Sequence, residues 1–188
     1  MRETIFTLII AAVLTLTACV PSLHPFYSNG DIFFDRNLLG TWTDREGSEQ
    51  WQFAEGEELS YSVKYTDRSG KTGRFTAHLF KIDNRTYMDV SPVRADPEDS
   101  ELYVEQILPT HTLMSVKMEA GSVQLAFLDP TWLKSYLKRN PREIDHTFMD
   151  DGIVLTATTA RLQAFVRRHI NTQGAFEDTE TMIRKGDK

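Results

Sequence analysis

The sequence predicts a mainly β domain, an antiparallel meander of about eight strands that forms a small barrel and carries two helices. Three observations predict this fold. Between Leu39 and Leu128 most apolar residues alternate with polar ones, which is the period of a strand with one buried face. Turn-forming stretches at 67–70 and 120–122 separate neighbouring runs at hairpin spacing. After Pro130, a residue favoured at helix starts, the apolar period becomes helical.

The predicted strands follow one another along the chain. The clearest is 59–66, in which Leu59, Tyr61, Val63 and Tyr65 face one way and the residues between them face the other. The other predicted strands are 41–43, 50–53, 74–83, 85–90, 112–118, 123–128, 146–149 and 153–156.

Two helices are predicted near 131–139 and 158–172. In the second, apolar residues recur at positions i, i+3, i+4, i+7 and i+8 from Leu162 to Ile170. The stretch 101–108 fits a helix or a strand, and its pattern does not decide between them.

The length of 188 residues favours one compact domain. The chain divides by composition into four predicted segments. These are a signal peptide at 1–18, a lipidated N-terminus and tether at 19–30, the barrel domain with its helices at 31–176, and a charged flexible tail at 177–188.

The N-terminal segment carries the most specific motif of the sequence. Its apolar stretch, 5–18, is shorter than the roughly 20 residues of a spanning helix. The stretch ends in Leu16-Thr17-Ala18-Cys19, which resembles the lipobox of bacterial lipoproteins. The resemblance implies cleavage before Cys19, lipidation of its sulfur and attachment to a membrane of the cell envelope. The alternative is an ordinary cleaved signal peptide followed by a chance cysteine.

Two further details bear on the anchor. Cys19 is the only cysteine, so lipidation would leave the mature chain without a thiol. The residue after it is Val20 rather than Asp, which by the same resemblance favours the outer membrane, facing the periplasm, if the host is Gram-negative.

The net charge is −6, and this excludes two kinds of partner. A nucleic-acid-binding domain would present a basic face. Adhesion to anionic lipid would need clustered Lys and Arg residues. The expected membrane contact is therefore the lipid on Cys19.

The predicted first barrel strand carries Gly40-Thr41-Trp42, which resembles the G-x-W motif of lipocalins and related calycin barrels. The resemblance implies a lipocalin-like barrel in which Trp42 is a structural plug at the closed end. The mature chain, from 21–27 to the final helix, also resembles a group of uncharacterised bacterial lipoproteins, and that resemblance implies no activity.

No motif predicts catalysis, a cofactor or a metal. The five histidines include no pair at i and i+4, so zinc has no support from spacing. The acidic residues Asp96, Glu98, Asp99 and Glu101 lack the calcium-loop layout and are predicted to form a solvated loop. There is no G-x-S-x-G elbow, although a triad dispersed over strands would leave no local signal. The sequence leans against an enzyme.

Aromatic residues supply the one suggestive pattern, because six of them fall on the apolar faces of predicted strands. They are Trp51, Phe53, Tyr61, Tyr65, Phe75 and Phe127. Either they fill the barrel as its core, or they line a pocket for a small apolar or amphipathic ligand, with the Tyr hydroxyls as polar groups. The first reading predicts an envelope interaction or assembly protein with a solid barrel. The second predicts a membrane-anchored binding module.

Overall fold

The computed structural model describes residues 19–93, 100–150, 152–176 and 179–186. The predicted signal peptide at 1–18 lies outside the described residues, as do Asp96, Glu98 and Asp99 of the acidic loop. The strands are β1 (Pro21–Ser22), β2 (Ile32–Phe33), β3 (Gly40–Thr43), β4 (Gln50–Glu55), β5 (Ser60–Thr66), β6 (Thr72–Ile82), β7 (Arg85–Pro92), β8 (His111–Glu119), β9 (Ser122–Phe127), β10 (His146–Phe148), β11 (Ile153–Leu155) and β12 (Thr179–Arg184). The helices are α1 (Glu101–Gln106), α2 (Pro130–Arg139) and α3 (Thr159–His169), and a 3₁₀ turn covers Arg36–Leu38.

Eight strands close into an antiparallel barrel. Around it the order is β3, β4, β5, β6, β7, β8, β9 and β12, and β12 returns to β3. Directly paired residues share a face, so Tyr61 with Ala77 and Val63 with Phe75 point into the barrel together. The predicted small lipocalin-like barrel is confirmed.

Buried apolar side chains form two clusters, one on each face of the sheet. One cluster fills the barrel and includes Trp42, Leu79 and Leu125. The other lies outside the barrel, where Phe80 from the sheet packs with α2 and α3 residues such as Phe165. The helices therefore cover one flank of the barrel.

Both predicted helices are confirmed as α2 and α3. At the start of α2 the Asp129 carboxylate accepts a hydrogen bond from the Trp132 N–H, and Pro130 follows this cap. The undecided stretch 101–108 begins as helix α1. None of the helices within the described ranges is long and apolar enough to cross a membrane.

The predicted tether is wrong for residues 20–26, which belong to the folded body. Strand β1 pairs with β8 and runs parallel to β11. The Phe26 side chain is 1% exposed, and its N–H donates to the Asp89 carboxylate over 2.8 Å. Burial of Val20 and Phe26 orders a stretch whose prolines suggested an unpacked chain.

The predicted flexible tail is wrong for Thr179–Arg184, since these residues form β12. Five residues of β12 pair with β9 and two pair with β3. Met182 is fully buried inside the barrel. Pairing satisfies the backbone groups that the edges of β3 and β9 would otherwise expose. Residues 177–178 and 187–188 lie outside the described residues.

The predicted strand pair at 146–149 and 153–156 is present as β10 and β11, but it is not part of the barrel. The pair continues the sheet beyond β8 through β1. Ile153 and Leu155 are buried in the outer cluster with the helices. The final barrel strand is β12, which the chain reaches only after α3.

Candidate functional site

One end of the barrel is closed by Trp42 and the 3₁₀ turn. Trp42 is 2% exposed, and its indole N–H donates to the Leu38 carbonyl over 2.8 Å. Leu38 is itself fully buried. The guanidinium carbon of Arg184 lies 4.3 Å from the centroid of the Trp42 ring. The G-x-W resemblance implies a structural plug at this position, and that role of Trp42 stays a prediction.

The six aromatic residues of the predicted pocket all belong to the cluster inside the barrel. Three of them are buried core residues, namely Trp51, Phe53 and Tyr61. The other three are half-buried, namely Tyr65, Phe75 and Phe127. The structure therefore brings the predicted residues together and divides them into a core group and a more exposed group.

Tyr61 is a core residue whose hydroxyl is used within the protein. The hydroxyl donates to the Asp35 carbonyl over 3.0 Å and accepts from the Asp35 N–H over 2.7 Å. Burial raises the pKa of Tyr61 to about 12. Both hydrogen bonds hold the segment that leads into the 3₁₀ turn, so Tyr61 is not a polar contact for a ligand.

The half-buried aromatic residues lie at the opposite end from the 3₁₀ turn. Tyr65 is the next-to-last residue of β5, and Phe127 is the last residue of β9. Phe75 pairs with Pro92, the last residue of β7. Alternate strands of an antiparallel barrel end at the same rim. Tyr65, Phe75 and Phe127 therefore surround one end of the barrel interior.

Two carboxylates share this end. Glu180 is the second residue of β12 and pairs with the interior residue Leu125, so its side chain points inward. Glu49 immediately precedes β4, which begins at this same end. We term the set of Glu49, Trp51, Tyr65, Phe75, Phe127 and Glu180 the rim cluster.

The Glu49 side chain is only 12% exposed. One oxygen, Oε1, lies 3.3 Å from Arg68 Nε and accepts from the Tyr65 hydroxyl over 3.2 Å. The other oxygen, Oε2, is buried and has no hydrogen-bond partner among the described residues. Burial first, and the charge of Glu49 second, raise the pKa of Tyr65, so its hydroxyl remains a donor at neutral pH.

Trp51 adds a second unsatisfied group. Its side chain packs on Tyr65, with ring centroids 4.7 Å apart. The residue is 6% exposed, and its indole Nε1–H has no acceptor in the part of the chain that the structure describes. A buried donor and a buried acceptor without partners are uncommon in a folded protein and mark this end of the barrel.

The pKa of Glu180 is shifted by the same buried surroundings. Burial first, and the negative charge of Glu49 second, raise the pKa of the Glu180 carboxyl. Cys19 is exposed, and loss of hydration is the main cause that raises the pKa of its thiol. The strand pattern did not single out Glu49 or Glu180, because one lies in a loop and the other in a stretch that reads as a polar tail.

A second polar cluster lies outside the barrel, under the N-terminal segment. Asp89 is 1% exposed, and its Oδ1 lies 2.7 Å from Nδ1 of His111. Its Oδ2 accepts from the Phe26 N–H. His78 pairs with Asp89 across β6 and β7, and its ring stacks on Tyr27 at 4.4 Å. The Asp89 carboxylate thus links β7 to β8 through His111 and holds the N-terminal segment through Phe26.

A carboxylate that orients a histidine is also the supporting half of a catalytic triad. The residue that pairs with His111 between β1 and β8 is Ser22, which carries a hydroxyl. Ser22 is fully buried and donates to the His24 carbonyl over 2.8 Å. A nucleophile must be reachable by substrate, so this arrangement is a structural clasp.

The described residues include no group of three or more His, Cys, Asp or Glu side chains placed to hold a metal ion. No protein-family model, curated protein or solved structure matches the chain. The function is therefore inferred from the residues of this chain and their geometry.

Proposed function

We propose that the mature chain, from Cys19 onward, is a lipid-anchored protein of the bacterial cell envelope that binds a small amphipathic ligand at the rim cluster. The observation that carries the proposal is the half-buried group of Tyr65, Phe75 and Phe127 at one end of a barrel that is otherwise filled. Apolar surface left in contact with water forgoes about 25 cal/mol per Å² of burial. Covering these rings with an apolar ligand group would recover that free energy.

The lipobox at Leu16 to Cys19 supports the anchored location. Cys19 is exposed, whereas Val20 directly after it is 3% exposed. A lipid on Cys19 would therefore be attached one residue from the folded body. Ligands that partition into a bilayer would then be available close to the barrel. Val20 favours the outer membrane of a Gram-negative host, facing the periplasm.

Intact-mass measurement of the protein purified from its host tests the anchor. We expect a chain that begins at Cys19 and carries added lipid. Normal processing and equal membrane binding of Cys19→Ala would contradict the anchor without bearing on the ligand.

Uptake of the neutral fluorescent probe N-phenyl-1-naphthylamine by the mature chain with Cys19→Ser tests the ligand site. We expect saturable uptake that Tyr65→Ala and Phe127→Ala weaken while the melting temperature stays within a few degrees. The matched control is Phe148→Ala, which removes a 44% exposed aromatic ring outside the barrel. Absence of probe uptake by the mature chain whose rim residues are unchanged would overturn the ligand proposal.

The second candidate function is an envelope interaction or assembly protein with a solid barrel. It is favoured by the full burial of interior residues such as Leu79, Met88 and Leu125. This function predicts no uptake of the probe and co-purification of a partner protein with the lipidated chain. The two functions therefore differ in a single binding measurement.

A further inference from the structure

The rim cluster has an excess of negative charge. Glu49 directly precedes β4, and Glu180 points inward from the start of β12 at the same end of the barrel. The charge of Glu49 contributes to the raised pKa of Glu180. The cation that pairs with Glu49 is Arg68, whose side chain is 66% exposed and directed to solvent. Because the guanidinium is largely hydrated, it offsets only part of the negative charge inside the rim. A carboxylate-bearing ligand would be repelled here, and a cation would be attracted.

The buried oxygen Oε2 of Glu49 needs a donor. A buried acceptor without a partner costs about 1–3 kcal/mol, and an ammonium group offers three N–H donors. A charge-assisted hydrogen bond from such a group would satisfy Oε2 and offset the negative charge at once. Trp51 contributes an independent sign of a ligand, because its indole N–H is buried and unpartnered beside Tyr65.

The aromatic rings favour the same class of ligand. A cation is attracted to the face of Trp or Tyr within about 6 Å of the ring centroid. Tyr65 presents a half-buried ring of this kind beside Glu49, and Trp51 packs against it. Phe75 and Phe127 offer apolar surface at the same rim for a hydrocarbon chain. Carboxylate, aromatic face and apolar wall together match a ligand with a cationic end and an apolar tail.

We propose that the rim cluster binds an amphiphile whose polar end is an ammonium group, which Glu49 and Glu180 recognise while Phe75 and Phe127 contact its apolar chain. This inference rests on the ligand-binding function proposed above and names the class of its ligand. The ammonium group belongs either to a free amphiphilic amine or to a lipid headgroup. An indole donor at Trp51 would suit an oxygen acceptor near the ammonium group.

Three probes with the same tail test the inference: octylammonium, octanol and octanoate, each titrated into the mature chain with Cys19→Ser. Binding is followed by calorimetry and by tryptophan fluorescence. We expect octylammonium to bind on the order of tenfold more tightly than octanol, as for one charge-assisted hydrogen bond, and octanoate to bind most weakly. Added salt should reduce the preference for octylammonium.

Variants then assign the preference to the two carboxylates. Glu49→Gln and Glu180→Gln should bring the affinity for octylammonium close to that for octanol. The matched control is Glu119→Gln, which removes an exposed carboxylate paired with Lys117. Dihexanoylphosphatidylethanolamine, added as a competitor, separates the sources: displacement of octylammonium assigns the ammonium group to a lipid headgroup, and no displacement assigns it to a free amine.

The outcomes distinguish failure of the ammonium proposal from failure of the proposed ligand-binding function. Uptake of the neutral probe with equal affinity for octylammonium and octanoate would overturn the ammonium proposal and leave the binding function standing. No binding of any probe would overturn both. Unchanged selectivity in both Gln variants, with their melting temperatures preserved, would also overturn recognition by Glu49 and Glu180.

Discussion

Arg184 lies over the indole ring of Trp42, with its guanidinium carbon 4.3 Å from the ring centroid. The two residues pair directly between β12 and β3. The same guanidinium donates to the backbone carbonyls of Leu39, over 2.7 Å, and Asn37. Arg184 thus joins the last barrel strand to the 3₁₀ turn that precedes the first barrel strand, at the closed end. Gly40 is required beside it, because its φ is +114° and a Cβ there would lie 2.8 Å from Arg184 Nη1.

Removing the plug should destabilise the barrel strongly. Trp42→Ala is expected to lower the free energy of unfolding by about 3–5 kcal/mol, as for other buried Trp truncations. Arg184→Ala should have a smaller effect, about 1–2 kcal/mol, from loss of the cation–π contact and the carbonyl hydrogen bonds. Denaturant unfolding measures both. Lys185→Ala, an exposed neighbour, is the control, and an unchanged transition in Trp42→Ala would contradict the plug.

The hydrogen bonds of Asp89 to the Phe26 N–H and to His111 should contribute to stability about as much as a core residue does. Asp89→Ala leaves the Phe26 N–H without its acceptor and His111 without its partner. The expected loss is about 1–3 kcal/mol for each buried group that loses its hydrogen-bond partner. Asp145→Ala breaks the exposed pair with Arg161 and should cost less than about 1 kcal/mol. Equal effects of the two substitutions would show that the clasp does not hold the N-terminal segment.

Acid should destabilise the protein through His169. Burial first lowers the pKa of this side chain, which is 8% exposed, and Glu143 at 3.7 Å opposes the shift. The unfolded chain therefore binds a proton near pH 6.5 that the native state resists, so stability falls as the pH drops through this range. His169→Leu should remove this part of the pH dependence of stability. The difference in unfolding free energy between wild type and variant should be constant above pH 7.5 and change below pH 6.5. A constant difference throughout would refute the assignment.

The sequence predicts most of the barrel because its strands alternate clearly. In β5 the apolar residues Tyr61, Val63 and Tyr65 mark the inward face without ambiguity. The closing strand β12 has no such signal, since its inward residues are Glu180, Met182 and Arg184, of which one is apolar. β12 is held in place by pairing with β3 and β9, which are both far away in sequence. A local sequence pattern cannot predict such pairing.

The candidate site is predictable to the same limited degree. The aromatic residues at the rim follow from alternation, but alternation cannot tell a buried ring from a half-buried one. That difference depends on how far each residue lies from the strand end, and therefore on the register of neighbouring strands. Glu49 and Glu180 become neighbours only when β12 closes the barrel. A site that depends on closure by a polar strand is invisible in the sequence.

Neutralising Glu180 should stabilise the protein. Its pKa is raised by burial and by Glu49, so ionisation of Glu180 costs more in the native state than in the unfolded chain. The native state then binds more protons above the unfolded pKa of about 4.5, and stability falls as the pH rises through that range. Glu180→Gln should raise the melting temperature at pH 7, and the gain should disappear below pH 4.5. A lower melting temperature at pH 7 would contradict the electrostatic account of the rim.

The closing strand can be tested with two neighbouring substitutions of opposite orientation. Met182 is fully buried in the barrel, whereas the adjacent Ile183 is 42% exposed on the outer face. Met182→Asp places an unpaired charge in the core and should cost at least about 3 kcal/mol, and Ile183→Asp should cost less than about 1 kcal/mol. A flexible tail would tolerate both equally.

Truncation gives the same test without a new side chain. A chain that ends at residue 176 lacks β12 and leaves the edges of β3 and β9 without their pairing. It should lose the near-ultraviolet circular dichroism of its packed aromatic residues and unfold without a cooperative transition. A chain that ends at Gly186 retains β12 and should behave as the full-length protein does. Cooperative unfolding of the shorter chain at an unchanged temperature would mean that β12 does not close the barrel, and the rim cluster would lose Glu180.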